Sequence, residues 1–155
     1  MQVQEIMTPD VVTVRTETKI PAVVRLFREH NISGMPVVDL EGNLVGMITE
    51  LDLIARHARP HFPNYVAFLD SIIYLGSTKR YHESMRHILA TTAGELMTPD
   101  VAIVPPEMDV QDLAGMMVER GANPVAVVDA EKHLVGIVSH TDLLKMIEQA
   151  EAAEP

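Results

Sequence analysis

The sequence predicts a mixed α/β (α+β) fold: two pseudo-symmetric β-α-β-β-α repeats packed together, with a helical insert between them. Three observations carry this expectation. The chain repeats itself at a fixed offset of 90 residues. Within each copy, apolar residues alternate between short strand-like runs and helical spacing. Between the copies lies a stretch too long for a simple linker, and its apolar residues keep helical spacing.

The repeat is read from four separated blocks. Glu5-Ile6-Met7-Thr8-Pro9-Asp10-Val11 returns as Glu95-Leu96-Met97-Thr98-Pro99-Asp100-Val101. Val37-Val38-Asp39 returns as Val127-Val128-Asp129, Leu44-Val45-Gly46 as Leu134-Val135-Gly136, and Asp52-Leu53 as Asp142-Leu143. About a third of positions from Val3 to Ile54 match without a gap. The repeats divide the chain into residues 1–56, an insert over 57–92, and residues 93–155.

Each copy reads as one series of elements. A short apolar strand (Val11 to Val14; Val101 to Val104) precedes a helix whose buried face is Ile20, Val23, Val24 and Phe27 in the first copy. In the second copy that face is Val110, Leu113, Ala114 and Met117. Asp109 stands at an N-cap position with Asp112 in the first turn, and Pro21 falls in the first turn of its helix, where proline is tolerated. Two strands follow, Met35 to Asp39 and Leu44 to Ile48, joined by the turn Leu40-Glu41-Gly42-Asn43. Their equivalents are Val125 to Asp129 and Leu134 to Val138. Both hairpins run into a helix, beginning at Thr49 and at Ser139. A unit of about 50 residues buries too little surface to stand alone, and two packed copies remove that difficulty. In the insert, Tyr65, Phe68, Leu69, Ile72 and Ile73 suggest one helix stopped by Gly76; Tyr81, Met85, Ile88 and Leu89 suggest a second.

Composition narrows the function. With 12 Lys and Arg against 22 Asp and Glu the net charge is −10, which opposes binding to a nucleic-acid backbone. There is no Cys, so disulfides and thiolate metal sites are excluded. No basic stretch followed by an apolar run opens the chain, and no apolar run reaches the ~18 residues of a membrane span, so the expectation is a cytoplasmic protein without a membrane partner.

The chemistry concentrates at the hairpin-to-helix junctions, Thr49-Glu50-Leu51-Asp52 and Ser139-His140-Thr141-Asp142. A hydroxyl and free backbone N–H groups at a helix start suit an anion, and an Asp three residues later can accept two hydrogen bonds from a ribose diol. Ser/Thr-x-x-Asp is equally a capping box. Its presence at the same place in both repeats is what points to a nucleoside site. The seven His invite a metal reading, but Pro60 interrupts the His57/His61 pair, so solvent-facing His is expected. His140 stands apart because it adjoins Ser139.

The pattern M-T-P-x-V, a helix, I-S-G-M-P-V-V-D and L-V-G-M-I-T-x-x-D-L resembles the CBS domain, the module of cystathionine beta-synthase. The resemblance spans nearly the whole chain apart from the insert and the last few residues. It implies a pair of repeats with two clefts for an adenosine-containing small molecule: AMP first, with ADP, ATP or S-adenosylmethionine as alternatives. It implies that Asp52 and Asp142 hold ribose hydroxyls, with Thr49 and Ser139 near phosphate, a position that His140 adjoins. The base is then expected between Val12 and Thr13 and the turn Ile32-Ser33-Gly34-Met35-Pro36, and in the second copy among Ala102, Ile103 and Ala122-Asn123-Pro124-Val125-Ala126, with Ile48 and Val138 also at the ligand. Two departures matter. Leu51 and Thr141 replace the Arg often found before the ribose Asp, which disfavours a triphosphate. Asn123-Pro124-Val125-Ala126 replaces Ser33-Gly34-Met35-Pro36, so the clefts should be unequal.

The expected role is a non-enzymatic sensor, since no nucleophile–base pair, paired catalytic carboxylates or Gly-rich phosphate loop is visible. With no further domain in the sequence, it would act in trans on an unidentified regulated protein, as a homodimer. The alternative is an interaction scaffold with vestigial clefts and a partner docked on the insert.

Overall fold

Val14, Val37 and Ile48 in the first repeat, and Val104, Val127 and Val138 in the second, sit on successive strands with their side chains removed from water. These apolar triplets make each repeat's sheet the floor of its own core. The structure is a computed structural model and describes residues 1–59, 64–68, 71–76 and 78–153.

In the first repeat a 3-10 turn, Val3–Glu5, leads to β1 (Val14–Arg15), α1 (Ile20–His30), β2 (Gly34–Val38), β3 (Leu44–Thr49) and α2 (Glu50–Ala55). β1 pairs parallel with β2, and β2 antiparallel with β3. The insert contributes β4 (Asn64–Phe68), β5 (Ser71–Leu75) and α3 (Thr78–Leu89). The second repeat follows as α4 (Ala93–Leu96), β6 (Ile103–Val104), α5 (Val110–Arg120), β7 (Val125–Val128), β8 (Leu134–Val138) and α6 (His140–Ala153). Its sheet has the same order and strand directions as the first. No helix among the described residues is long and apolar enough to cross a membrane.

The helical reading of both repeats is met in detail. α1 carries Pro21 in its first turn and ends on Asn31 in the left-handed region. α5 is capped by Asp109, whose carboxylate accepts from Gln111 N–H, and ends on Gly121 with φ 61°. Ile20, Val23 and Phe27 are buried, as are Val110, Leu113 and Met117, but Val24 lies at the rim, 38% exposed. Asp39 and Asp129 tie the tips of the two hairpins. Asp39 accepts from Glu41 N, Asn43 N and Asn43 Nδ2; Asp129 accepts from His133 N. Donation from the Asn43 backbone in one turn and the His133 backbone in the other holds these carboxyls below the ordinary Asp range.

The insert differs from its expectation in its first half. Residues 64–68 and 71–75, spaced like a helix, form two paired antiparallel strands instead, with Tyr65 opposite Tyr74 and Val66 opposite Ile73. Short apolar runs satisfy both periods. The concentration of Tyr, Val, Ile and Phe decides for strand, because branched and aromatic side chains fit a pleated surface. Leu69 lies outside the described residues, as do Pro60 and His61. The second insert helix is present as α3.

The repeats exchange their leading segments. Val3, with Ile6 and Met7 beside it, packs into the core of the second repeat, and Ala93, Leu96 and Met97 pack against the core of the first. Backbone pairs fix the exchange. Thr8 and Ile137 donate to each other's carbonyls at 2.9 and 3.0 Å, and Thr98 and Met47 do the same at 2.9 and 3.0 Å. Gly136 and Gly46 lie beneath Met7 and Met97, where a Cβ would overlap the methionine sulfur. At the centre, the equivalent positions Gly34 and Pro124 touch, and a Cβ on Gly34 would overlap the proline ring.

A rigid ring cannot yield as a methionine tip can. Gly34→Ala is therefore expected to destabilise the protein by about 1–3 kcal/mol. Gly115→Ala, in open space within α5, should stabilise it by about 0.5–1 kcal/mol. Urea unfolding of both variants beside wild type checks the pair; equal stability for Gly34→Ala and wild type contradicts the close approach.

Candidate functional site: two clefts between the repeats

Because Gly34 and Pro124 meet at the centre, each turn before a central strand faces the helix start of the other repeat. The result is two composite clefts. In one, of about 290 Å³, Thr49 and Asp52 of the first repeat face Ala102, Ala122, Asn123 and Pro124 of the second. In the other, of about 510 Å³, Ser139 and Asp142 face Ile32, Ser33 and Gly34. Ligand pockets commonly span about 300–1,000 Å³, so the second has room to spare and the first sits at the lower limit.

The helix starts are built alike. Asp52 Oδ2 accepts from Thr49 N at 2.8 Å and Thr49 Oγ1 at 3.1 Å; Asp142 Oδ2 accepts from Ser139 N and Ser139 Oγ, both at 2.8 Å. Each carboxylate thus caps its helix and also lines a cleft. The expected free amides are largely spoken for. Glu50 N donates to Ser33 O at 3.2 Å, and His140 N donates to Asn123 Oδ1 at 2.9 Å. Together with the caps this leaves fewer first-turn donors for a phosphate than expected. With only six residues, α2 is also too short to offer a strong dipole.

The second oxygens separate the two sites. His87 Nε2, on α3 of the insert, lies 3.1 Å from Asp52 Oδ1, with both side chains largely sheltered from solvent. Since a carboxylate accepts only, the imidazole presents N–H at that atom. Among the described residues no hydrogen bond reaches Asp142 Oδ1. Arg56 anchors the same arrangement by donating to the carbonyls of Ala90 and His87 at the end of α3.

The expected site residues divide into three groups. Thr49, Asp52, Ala102, Asn123 and Pro124 line the first cleft, and Ser33, Gly34, Ser139 and Asp142 the second. Met35, Pro36, Ile48, Val125 and Val138 are buried beneath, as core side chains, while Val12 packs at the edge of the first core. Thr13, Ile103 and His140 are exposed and line neither cleft. The expectation of solvent-facing His fails at His87. Sequence reasoning also missed the cations: Arg120 lines the first cleft, His30 and Lys145 the second. His30 and Arg120 close α1 and α5 at positions 90 residues apart, a paired signal that was available. No cluster of three or more potential metal ligands occurs among the described residues.

Two sheet-and-helix repeats with exchanged leading segments and paired clefts define a class, a tandem domain pair with two inter-repeat clefts. The CBS domain family model matches residues 3–59 and 93–149, and the chain belongs to that family as a tandem pair. It is 31% identical over 155 residues to the uncharacterized protein MJ1426 of Methanocaldococcus jannaschii, covering 95% of this chain and 91% of that one. It is 27% identical over 152 residues to the chloroplastic CBS domain-containing protein CBSX2 of Arabidopsis thaliana, of which it spans 62%. The crystal structure of CBSX2 in complex with AMP superposes with TM-score 0.76 at 25% identity, over 96% of this chain and 97% of that one. The CBS domain pair of protein MJ0100, in complex with 5'-methylthioadenosine and S-adenosyl-L-methionine, shares the fold with TM-score 0.73 at 23% identity, covering 97% and 98%.

The two carboxylates differ in structural duty. Asp142→Ala removes a cap and should cost about 1 kcal/mol. Asp52→Ala removes a cap and strands a sheltered His87, and should cost about 1–2 kcal/mol more. Thermal and urea unfolding of the two variants measures the difference; equal losses contradict a contributing His87 contact.

Proposed function

We propose that this chain is a regulatory module that binds an adenosyl ligand in its clefts and signals to a partner protein in trans. AMP is the favoured ligand, with ADP, ATP and S-adenosylmethionine as the alternatives. The observation that carries the reading is the juxtaposition in each cleft. A capped Asp carboxylate from one repeat faces the turn of the other, Ser33-Gly34 or Asn123-Pro124, across a gap of nucleoside size. The carboxylate suits a ribose diol, and the turn offers backbone groups to a base edge. The AMP complex of CBSX2, over nearly the full length of both chains, supports the same ligand class.

The charges favour a small anion over a triphosphate. The first cleft holds Arg120 against Asp52 and Asp100; the second holds Lys145 and His30 against Asp142 and Glu50. One phosphate meets a cation in either place, whereas further phosphates meet carboxylates and a net charge of −10. Calorimetry against AMP, ATP and S-adenosylmethionine tests the reading. AMP is expected to bind at least as tightly as ATP without added magnesium, at one dominant site or two of distinct affinity. Asp142→Ala should weaken AMP by roughly 1.5–3 kcal/mol. Wild-type affinity in Asp52→Ala, Asp142→Ala and the double variant rejects the ribose contact. Absence of any binding favours a scaffold that docks a partner on the insert.

We also propose that the module is a homodimer. Ile54 and Leu144 occupy equivalent positions on α2 and α6 and are 64% exposed each, with Leu51 and Ile147 beside them. Such paired apolar surface suits a symmetric contact between two copies. Light scattering at tens of micromolar should give the dimer mass, and a monomer mass with and without AMP counts against it.

A further inference from the structure

The clefts present carboxylates with different numbers of free acceptor sites. A carboxylate has about four lone-pair sites, two on each oxygen. On Asp52, two are used on Oδ2 by Thr49 and one on Oδ1 by His87. On Asp142, two are used on Oδ2 by Ser139, and none on Oδ1 among the described residues. A ribose cis-diol brings two O–H donors. Asp142 Oδ1 accepts both; Asp52 Oδ1 accepts one while His87 stays in place.

His87 is not easily displaced. It sits on α3, whose end is held to α2 by Arg56 through the carbonyls of His87 and Ala90. Arg86, on the same helix, donates to Met97 O at 2.8 Å and joins α3 to the segment that crosses into the first repeat. The second repeat has Met146 where the first has Arg56, and α3 occurs once, between the repeats. The asymmetry is therefore built from the insert rather than from the repeats.

We propose that His87 is a specificity-determining residue. By occupying Asp52 Oδ1 it makes the Thr49/Asp52 cleft a reader of a single ribose hydroxyl, and leaves the Ser139/Asp142 cleft to read the complete diol. This rests on the adenosyl reading above and adds to it a division of labour: the first cleft tolerates a ribose modified at one hydroxyl, and the second rejects it.

The test compares AMP with 2'-deoxy-AMP in proteins with one working cleft. Asp142→Asn and Asp52→Asn each leave an oxygen for the cap and put a donor at the ribose position. In Asp52→Asn, where the second cleft binds, loss of the 2'-hydroxyl should weaken binding about tenfold. In Asp142→Asn, where the first cleft binds, the loss should be less than about threefold. Adding His87→Ala to Asp142→Asn should tighten AMP and restore the tenfold discrimination, whereas His87→Gln, which keeps an N–H donor, should leave it as in Asp142→Asn alone. Equal discrimination in the two single-cleft proteins, or unchanged or weaker AMP binding with His87→Ala, overturns the role of His87. The comparison of Asp52→Asn with Asp142→Asn needs no change at His87, so equal discrimination there overturns the role even if His87→Ala does not fold. If AMP binds to neither single-cleft protein nor wild type, the adenosyl reading itself falls.

Discussion

Two reciprocal backbone exchanges, Thr8 with Ile137 and Thr98 with Met47, hold the rest of the structure in register. Each joins the leading segment of one repeat to the last strand of the other. Since strand registers alternate side chains between faces, fixing this pairing also fixes which residues point to the core and which to the cleft. Met7 and Met97 follow from it: they lie over Gly136 and Gly46, the residues without a Cβ at the close approach. Neither repeat completes its core without a segment from the other. That explains why units of about 50 residues, too small to bury much surface alone, form one body.

The clefts are a product of this exchange. Once Gly34 and Pro124 meet at the centre, the helix start of each repeat must face the turn of the other. Asp52 and Asp142 then carry two duties with one side chain. One oxygen closes the first turn of a helix, which locks the rotamer, and the residue also lines a cleft. A carboxylate held this way loses little further freedom when it accepts a ligand hydroxyl, so its hydrogen bonds are gained at low entropic cost. The capping of Ser/Thr-x-x-Asp is thus compatible with the proposed binding role in one geometry.

Departures from symmetry collect around the first cleft. Its turn carries Asn123 and Pro124, with a cis peptide between them, in place of Ser33 and Gly34. Its cation is Arg120, where the second cleft has His30 with Lys145 nearby. Its carboxylate is touched by the insert through His87, and its α2 ends on Arg56, which reaches the insert. Among the described residues the insert thus reaches the carboxylate of the first cleft and lines no part of the second.

The sequence by itself determined the repeat, its β-α-β-β-α order, the caps at Asp109 and Thr49, and the two Asp positions. All of these are local: a period, a turn residue or a three-residue spacing is set by neighbours along the chain. It also exposed the inequality of the turns, because Ser33-Gly34 and Asn123-Pro124 stand at equivalent positions. Residues 64–68 and 71–75 depart from the helical expectation because a short apolar run satisfies helix and strand periods alike, and pairing of β4 with β5 chooses between them. Only the tertiary structure decided which turn faces which carboxylate, that the leading segments cross over, and that His87, 35 residues along the chain, closes on Asp52. Those contacts join segments far apart in sequence, and no local spacing encodes which distant surfaces must meet to complete a core.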